Sequence, residues 1–254
     1  MNLYLCVSRH LKLKKQYMTL IKIFNRLLKK TGVRIYSLEG IMTNPLDENG
    51  IEILKDESFL KSCREVKPYS LLDTNRLINL WEYCKRSNPI GAILEVGSYK
   101  GGGALHLSNC QPNRHVYVFE SFQGFETIDS KLDANFNMQQ FKDTAQANIE
   151  NLFTKRNRKA TITPGFFPES AKNISLPNIS FVHLDVDIHK ATIESLMYLD
   201  DKMTDHSFIV LDDCRRGCEG VDIAVEDFMQ KSKNWIYLPL FPSQGLLVHK
   251  SWIN

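Results

Sequence analysis

The chain has 254 residues, of which 43% are hydrophobic and 24% are charged. These values are ordinary for a globular protein, and they favour neither a disordered chain nor a bundle of membrane helices. The formal net charge of +3 is unevenly distributed: residues 1–40 hold nine basic side chains and one acid, a net of +8, so the rest of the chain carries −5. Because the body of the protein is mildly acidic, any attraction to nucleic acid or to a membrane would have to come from residues 1–40, and nucleic acid is not an expected partner.

The segment Leu11–Lys30 has apolar residues at helical spacing among lysines, which predicts an amphipathic helix. Packing on its own domain or on a partner subunit is favoured, and adhesion to an anionic membrane surface is the alternative. We therefore predict a basic, largely helical extension over residues 1–60 and a main domain over residues 61–254. The apolar stretch in Met1–Val7 is too short for a signal peptide, and no run could span a membrane, so we expect a cytoplasmic protein.

From about residue 88, short apolar runs alternate with helical patterns, which is typical of βαβ units that form a parallel sheet. Seven strands are predicted: Ile90–Val96, His115–Glu120, Ala160–Thr163, Ile179–Asp185, Phe208–Asp212, Trp235–Leu238 and Leu246–His249. The predicted helices are Thr74–Lys85, Gly102–Ser108, Met138–Phe153, Ala191–Asp201 and Val221–Lys231. Only Pro239–Gly245 separates the last two strands, which is too short for a parallel crossover, so these two strands should be antiparallel.

The first strand runs into a glycine-rich turn, Glu95–Gly103, which a helix follows. Glycines there allow a sharp turn and the close approach of a ligand, and the helix directs free N–H groups into the crevice, so a nucleotide-like ligand is expected. Tyr99 stands where a dinucleotide site needs its second glycine, which opposes a dinucleotide. A purely structural turn is the alternative.

Glu120 ends the second strand, twenty-five residues after Glu95. A carboxylate at this place can accept both ribose hydroxyl protons of S-adenosylmethionine or of a nicotinamide cofactor. Glu120 therefore supports an adenosine ligand without selecting between them, and a solvated strand-end acid is the alternative.

Three acids follow two strands that should be neighbours in the sheet: Asp185 after the fourth, and Asp212 and Asp213 after the fifth. Acids that converge at one sheet edge repel one another unless a cation lies between them, and Mg²⁺ is the simplest such ion. The alternative is that Asp212 and Asp213 cap the following helix. Asp187 is a candidate base for an acceptor hydroxyl, and His189 competes with it.

Four segments carry a resemblance to one family: Glu120–Phe125, Thr163–Pro168, His183–Asp187 and Leu211–Asp213. They resemble the macrocin O-methyltransferase (TylF-type) family, one of the class I S-adenosylmethionine-dependent methyltransferases. The resemblance covers roughly Pro68 to the C-terminus. It implies an α/β fold with a Rossmann-like seven-stranded methyltransferase sheet, mostly parallel with an antiparallel last strand, and helices on both faces.

The resemblance also implies an O-methyltransferase that moves the methyl group of S-adenosylmethionine to a metal-bound hydroxyl of a small-molecule acceptor, a sugar in a natural product or polysaccharide. It implies Asp185, Asp212 and Asp213 as Mg²⁺ ligands, with Asp185 and Asp187 as catalytic residues. Expected cofactor contacts are Tyr69, Ser70, Glu95, Gly97, Ser98, Gly102, Glu120, Ser121, Gly165, Phe166 and Asp185.

Two departures from the family pattern concern the acceptor: His189 replaces a usual Tyr, and Arg215 and Arg216 follow the acid pair. These arginines either grip an acidic group on the acceptor or form a solvated loop. The alternatives to a methyltransferase are a nicotinamide-dependent oxidoreductase and a non-catalytic scaffold on the same fold. A homo-oligomer is left open, and the cysteines are expected to be free thiols.

Overall fold

A seven-stranded sheet forms the centre of the structure, a computed structural model that describes residues 53, 55–215 and 217–253. The strands are β1 (Ala92–Val96), β2 (Val116–Glu120), β3 (Ala160–Pro164), β4 (Ile179–Leu184), β5 (Met203–Leu211), β6 (Trp235–Leu240) and β7 (Gln244–His249). Their order is β3-β2-β1-β4-β5-β7-β6. The first five strands are parallel, and β7 is antiparallel to both β5 and β6, which confirms the predicted sheet.

Six described helices surround the sheet: α1 (Glu57–Val66), α2 (Thr74–Arg86), α3 (Gly102–Cys110), α4 (Gln146–Thr154), α5 (His189–Leu199) and α6 (Glu219–Lys231). Short 3₁₀ turns lie at Lys67–Tyr69, Glu169–Ala171, Asp200–Lys202 and Lys250–Trp252. Both α1 and α2 begin at an aspartate, Asp56 or Asp73, whose side chain accepts two backbone N–H groups of the first turn. The predicted boundary at residue 60 falls inside α1, and the division into extension and domain stays a prediction.

Two hydrophobic cores lie on opposite faces of the sheet because neighbouring strand residues point to opposite sides. Ile93 packs in one core with side chains of α1 to α4, and Leu94 packs in the other with side chains of α5 and α6. Helices therefore cover both faces. The carboxyl ends of the parallel strands remain open to ligands, as is usual for such a sheet.

The predicted helix Met138–Phe153 is wrong in its first half, because α4 begins only at Gln146. Side chains in the preceding residues bind nearby backbone N–H groups: Gln140 accepts from Asn137, and Asn137 accepts from Gln139. Such local bonds compete with helix formation. Phe141 also has a φ of 61°, in the left-handed region, which an α-helix cannot accommodate.

Three other expectations concern the whole chain. The amphipathic helix predicted at Leu11–Lys30 lies outside the described residues. Within the described part, none of the helices has the length and hydrophobicity needed to cross a membrane. The five described cysteines are free thiols, as expected, and neither of the two metal-ligand clusters found among the described residues includes a cysteine.

His106 on α3 is a buried histidine that links three helices. Its Nδ1 lies 2.8 Å from the Ser62 hydroxyl, its Nε2 lies 3.0 Å from the Leu77 carbonyl oxygen, and its ring contacts Phe59 and Trp81. Burial lowers the pKa of His106 to about 4. The neutral ring is therefore the form that the folded protein holds.

The depressed pKa of His106 predicts a specific acid sensitivity. Neutral His106 contributes about 3 kcal/mol to the free energy of unfolding. This contribution is fully present above the pKa of an unfolded histidine, about 6.5, and is lost as the pH falls towards 4. Urea unfolding between pH 7 and pH 4.5 should show that the free energy of unfolding changes less with pH in His106→Gln than in the parent. His206→Gln, at an exposed histidine, should keep the parental slope; identical slopes in all three proteins would contradict the assignment.

Candidate active site

The carboxyl ends of the parallel strands open into a cavity of about 320 Å³. Twelve of the predicted site residues line it: Tyr69, Ser70, Glu95, Gly97, Ser98, Glu120, Ser121, Gly165, Phe166, Asp185, Asp187 and Asp213. The other two are not part of its lining: Gly102 lies against Tyr69 and Ser70, and Asp212 lies beside Asp185. The cavity also contains residues that the sequence did not indicate, including Arg76, Phe141 and Lys190.

The glycine-rich turn is fixed to the end of β2 by Glu120. One carboxylate oxygen of Glu120 accepts the backbone N–H groups of Ser98 and Tyr99 at 2.8 and 2.7 Å. Gly97 has a φ of +80°, and a Cβ atom there would lie 1.8 Å from the Asp185 carbonyl oxygen. Only glycine therefore lets the turn approach the end of β4 this closely.

His183 on β4 lies between two buried acids. Its Nδ1 is 3.6 Å from Glu95 Oε1, and its Nε2 is 3.6 Å from Asp212 Oδ2. Burial alone would lower the pKa of His183, but the Asp212 and Glu95 carboxylates raise it to about 10. A protonated His183 thus lies buried beneath the cavity.

Two overlapping groups of metal-ligand side chains share Asp185. In one group, ligand atoms of Asp185, Asp187 and Asp213 all lie within 4.8 Å of one another; in the other, the same holds for His183, Asp185 and Asp212. Burial, together with the neighbouring acids, raises the pKa of both Asp185 and Asp187. The structure thus brings Asp185, Asp213 and the predicted base Asp187 together in one group, while Asp212 joins only Asp185, in a second group with His183.

Arg76 is the functional candidate that sequence reasoning missed. Its Nη1 donates to Asp212 Oδ1 at 3.0 Å and lies 3.8 Å from Asp213 Oδ1, while its Nη2 donates to the Leu71 carbonyl oxygen at 2.9 Å. The side chain is 8% exposed. The sequence did contain one signal for this role: Arg76 is a cation near the start of the predicted helix Thr74–Lys85, next to the residues of its apolar face.

The other basic candidates do not face the acids. His189 Nε2 lies 3.6 Å from Asp227 on α6, and His189 is not part of the cavity lining. Arg215 donates to the carbonyl oxygens of Leu240 and Gln244 and therefore supports the β6–β7 hairpin. Arg216 lies outside the described residues.

Comparison with known proteins identifies the family. The sequence model of the macrocin-O-methyltransferase (TylF) family matches residues 25–241, which is most of the chain. This protein belongs to that family. The match begins ahead of Pro68, where the resemblance seen in the motifs begins, and it covers all of the strands from β1 to β6.

Solved structures of methyltransferases share the fold of this enzyme. The O-methyltransferase NovP superposes with a TM-score of 0.62 at 16% identity, covering 71% of this chain and 82% of NovP. The calicheamicin methyltransferase CalS11 gives 0.54 at 16% identity, over 88% and 99% of the chains. An O-methyltransferase from Bacillus cereus, in complex with SAH, gives 0.53 at 13% identity, over 81% and 96%.

No curated protein sequence matches the chain significantly. Family membership nevertheless identifies the enzyme as an S-adenosylmethionine-dependent O-methyltransferase. Neither the oxidoreductase nor the non-catalytic scaffold is favoured by these findings. The cavity at the carboxyl ends of β1, β2 and β4 is therefore the candidate active site.

The Arg76–Asp212 pair predicts a large loss of stability in one variant. Arg76→Met removes the guanidinium partner of Asp212 and leaves this carboxylate buried. The free energy of unfolding should therefore fall by about 3 kcal/mol. Arg86→Met is the matched control on the same helix, because Arg86 pairs with Glu82 at the surface and should cost less than about 0.5 kcal/mol. Urea unfolding of the metal-free proteins measures both; equal losses would contradict the structural role of Arg76.

Proposed function

We propose that the enzyme is divalent-metal-dependent and methylates a hydroxyl group of a glycosidic small molecule, a natural product or a polysaccharide. Asp185, Asp212 and Asp213 would hold the ion, with Mg²⁺ as the first choice, and Asp187 would accept the proton of the hydroxyl. The observation that carries this proposal is the pair of ligand groups that meet at Asp185 in a methyltransferase cavity.

The cofactor half of the cavity offers polar atoms that suit S-adenosylmethionine. The Glu95 carboxylate and the Ser98 hydroxyl are buried and interact with each other, and Glu95 Oε2 and Ser98 Oγ have no well-formed hydrogen bond within the described part of the protein. Buried polar atoms without a good partner are costly, which supports a polar ligand at this place. Glu120 lies next to them, where it would face the ribose.

The acid half of the cavity suits a hard cation. Carboxylate oxygens are the ligands that Mg²⁺ prefers, and those of Asp185, Asp187 and Asp213 lie within 4.8 Å of one another, where they repel one another unless a proton or a cation lies between them. When bound, S-adenosylmethionine supplies an electrophilic methyl group, and the ion would lower the pKa of the acceptor hydroxyl. The contribution of this chain is to hold donor and acceptor in line, since both sets of residues line one cavity.

Asp187 is the better of the two candidate bases. It lines the cavity, and its carboxylate lies within 4.8 Å of those of Asp185 and Asp213, whereas His189 lies beside Asp227. Burial and the charge of Asp185 raise the pKa of Asp187, which suits a group that must take up a proton. The backbone φ of Asp187 is +63°, a strained conformation that is common at functional sites.

The acceptor class rests on names and on the family resemblance. The family is named for macrocin, and one similar structure is a calicheamicin methyltransferase. Both support a natural-product acceptor, and the sugar hydroxyl follows from the resemblance. A cytoplasmic location and a homo-oligomeric state stay predictions.

Metal binding should depend on the ligands and not on the base. Calorimetric titration of Mg²⁺ into the complex with S-adenosylhomocysteine should give an affinity at least about tenfold weaker for Asp213→Asn than for the parent, because a charged carboxylate ligand becomes a neutral amide. Asp187→Asn should bind the ion within about threefold of the parental affinity. Equal weakening in both variants, or no Mg²⁺ binding by the parent, would contradict the assignment.

Replacing Asp187 should lower the turnover number much more than it lowers the affinity for Mg²⁺. With the acceptor found by screening hydroxylated glycosides with radiolabelled S-adenosylmethionine, Asp187→Asn should lower kcat by about 10²- to 10⁴-fold, the usual contribution of a general base. His189→Gln should keep kcat within about threefold. If His189→Gln loses turnover and Asp187→Asn keeps it, the roles of the two residues are reversed.

A further inference from the structure

A long loop between β2 and α4, residues 121–145, forms one wall of the cavity. Phe125, Glu126, Thr127 and Phe141 from this loop line it. Phe125 makes edge-to-face contacts with Phe136 and Phe141, which gives the loop a small core of its own. These loop residues line the same cavity as the acids Asp185 and Asp187.

Helix α5 begins directly after these acids and has no cap in its own sequence. Its N-cap residue is Ile188, which offers no side-chain acceptor. The N–H of His189, in the first turn, instead donates to Oδ1 of Asp133 at 3.0 Å. The cap therefore comes from the 121–145 loop, 56 residues earlier in the chain.

Asp133 is also the point where the loop contacts α6. The residue is 3% exposed, and its Oδ2 accepts the N–H of Asp129 at 3.1 Å. The Gly220 N–H donates to the Leu132 carbonyl oxygen at 3.0 Å, and a Cβ atom at Gly220 would lie 2.1 Å from Asp133 Oδ1. The loop thus lies on the first turns of α5 and α6, the two helices that follow the acid-bearing strands.

The cap supports a strained segment of backbone. Asp187 has a φ of +63°, and the next residue, Ile188, donates its N–H to the Val186 carbonyl oxygen. Such strain persists only where surrounding contacts fix the backbone. The bond from His189 to Asp133 is a contact of this kind, two residues beyond Asp187.

We propose that Asp133 is a positioning residue that joins the wall of the acceptor pocket to the turn that carries Asp187. Its carboxylate caps α5 and also holds the 121–145 loop against that helix. A change in the position of the loop should therefore change the geometry of the turn that carries Asp187. The catalytic meaning of this coupling rests on the proposed function, while the coupling itself is a property of the fold.

Hydrogen–deuterium exchange of the full-length protein tests the coupling without an acceptor. Asp133→Ala should speed exchange about tenfold in peptides that cover residues 125–137 and also in those that cover 187–192. Asp129→Ala is the matched control, because within the described part of the chain the Asp129 side chain accepts hydrogen bonds from the nearby N–H groups of Lys131 and Leu132 alone. It should speed exchange in the loop alone.

Asp133→Asn is the conservative variant, since its amide oxygen can still accept the His189 N–H. It should restore protection of residues 187–192 to within about threefold of the parent. Unchanged exchange at 187–192 in Asp133→Ala, or an equal rise there in Asp129→Ala, would overturn the proposal. Affinity for S-adenosylhomocysteine should stay within about twofold in all three variants, and a large loss in Asp133→Ala would indicate general disruption instead.

The functional consequence is measured separately. With an acceptor from the glycoside screen, Asp133→Ala should lower kcat at least tenfold while the KM for S-adenosylmethionine stays within twofold. Parental kcat in Asp133→Ala would overturn the catalytic part of the proposal. If the screen finds no acceptor, the proposed function has failed, and the exchange experiment still decides whether Asp133 couples the loop to α5.

Discussion

Burying carboxylates beneath a ligand cavity is the constraint on which the rest of this structure depends. Asp212 is the centre of the arrangement: Arg76 from α2 donates to it, His183 from β4 lies beside it, and Gln244 from β7 is 3.4 Å from its Oδ2. A buried charge is stable only when it is paired and hydrogen-bonded, so these three elements must converge on one side chain. The contacts of α2 and of the antiparallel hairpin with Asp212 meet that requirement.

The same arrangement connects the cofactor half of the cavity to the acid half. Gly97 lies directly against the Asp185 carbonyl group, and His183 contacts both Glu95 and Asp212. Arg76 extends the connection to the cavity-lining segment ahead of α2, through the Leu71 carbonyl group. Methyl transfer needs a donor and an acceptor in one line, and a rigid network shared by both halves is a direct way to provide that alignment.

Features that depend on neighbouring residues could be predicted from the sequence. The strands show in their apolar runs, and the acids lie near the cavity because they follow strands that end at one sheet edge. Interactions between distant segments could not be predicted: Arg76 meets Asp212 across 136 residues, and Asp133 caps α5 across 56. The error at Met138–Phe153 has a related cause, since the apolar side chain of Phe141 belongs to the cavity wall and not to a helix face.

The central claim is that Asp185, Asp212 and Asp213 hold a divalent ion beside the methyl donor. Anomalous diffraction from crystals grown with Mn²⁺ and S-adenosylhomocysteine tests it most directly. The claim predicts one anomalous peak within ligand distance of these three carboxylates, with Asp187 close to it and Arg76 still on Asp212. No peak at the acids in crystals whose cavity contains the nucleoside, or a peak at a different cluster, would contradict it.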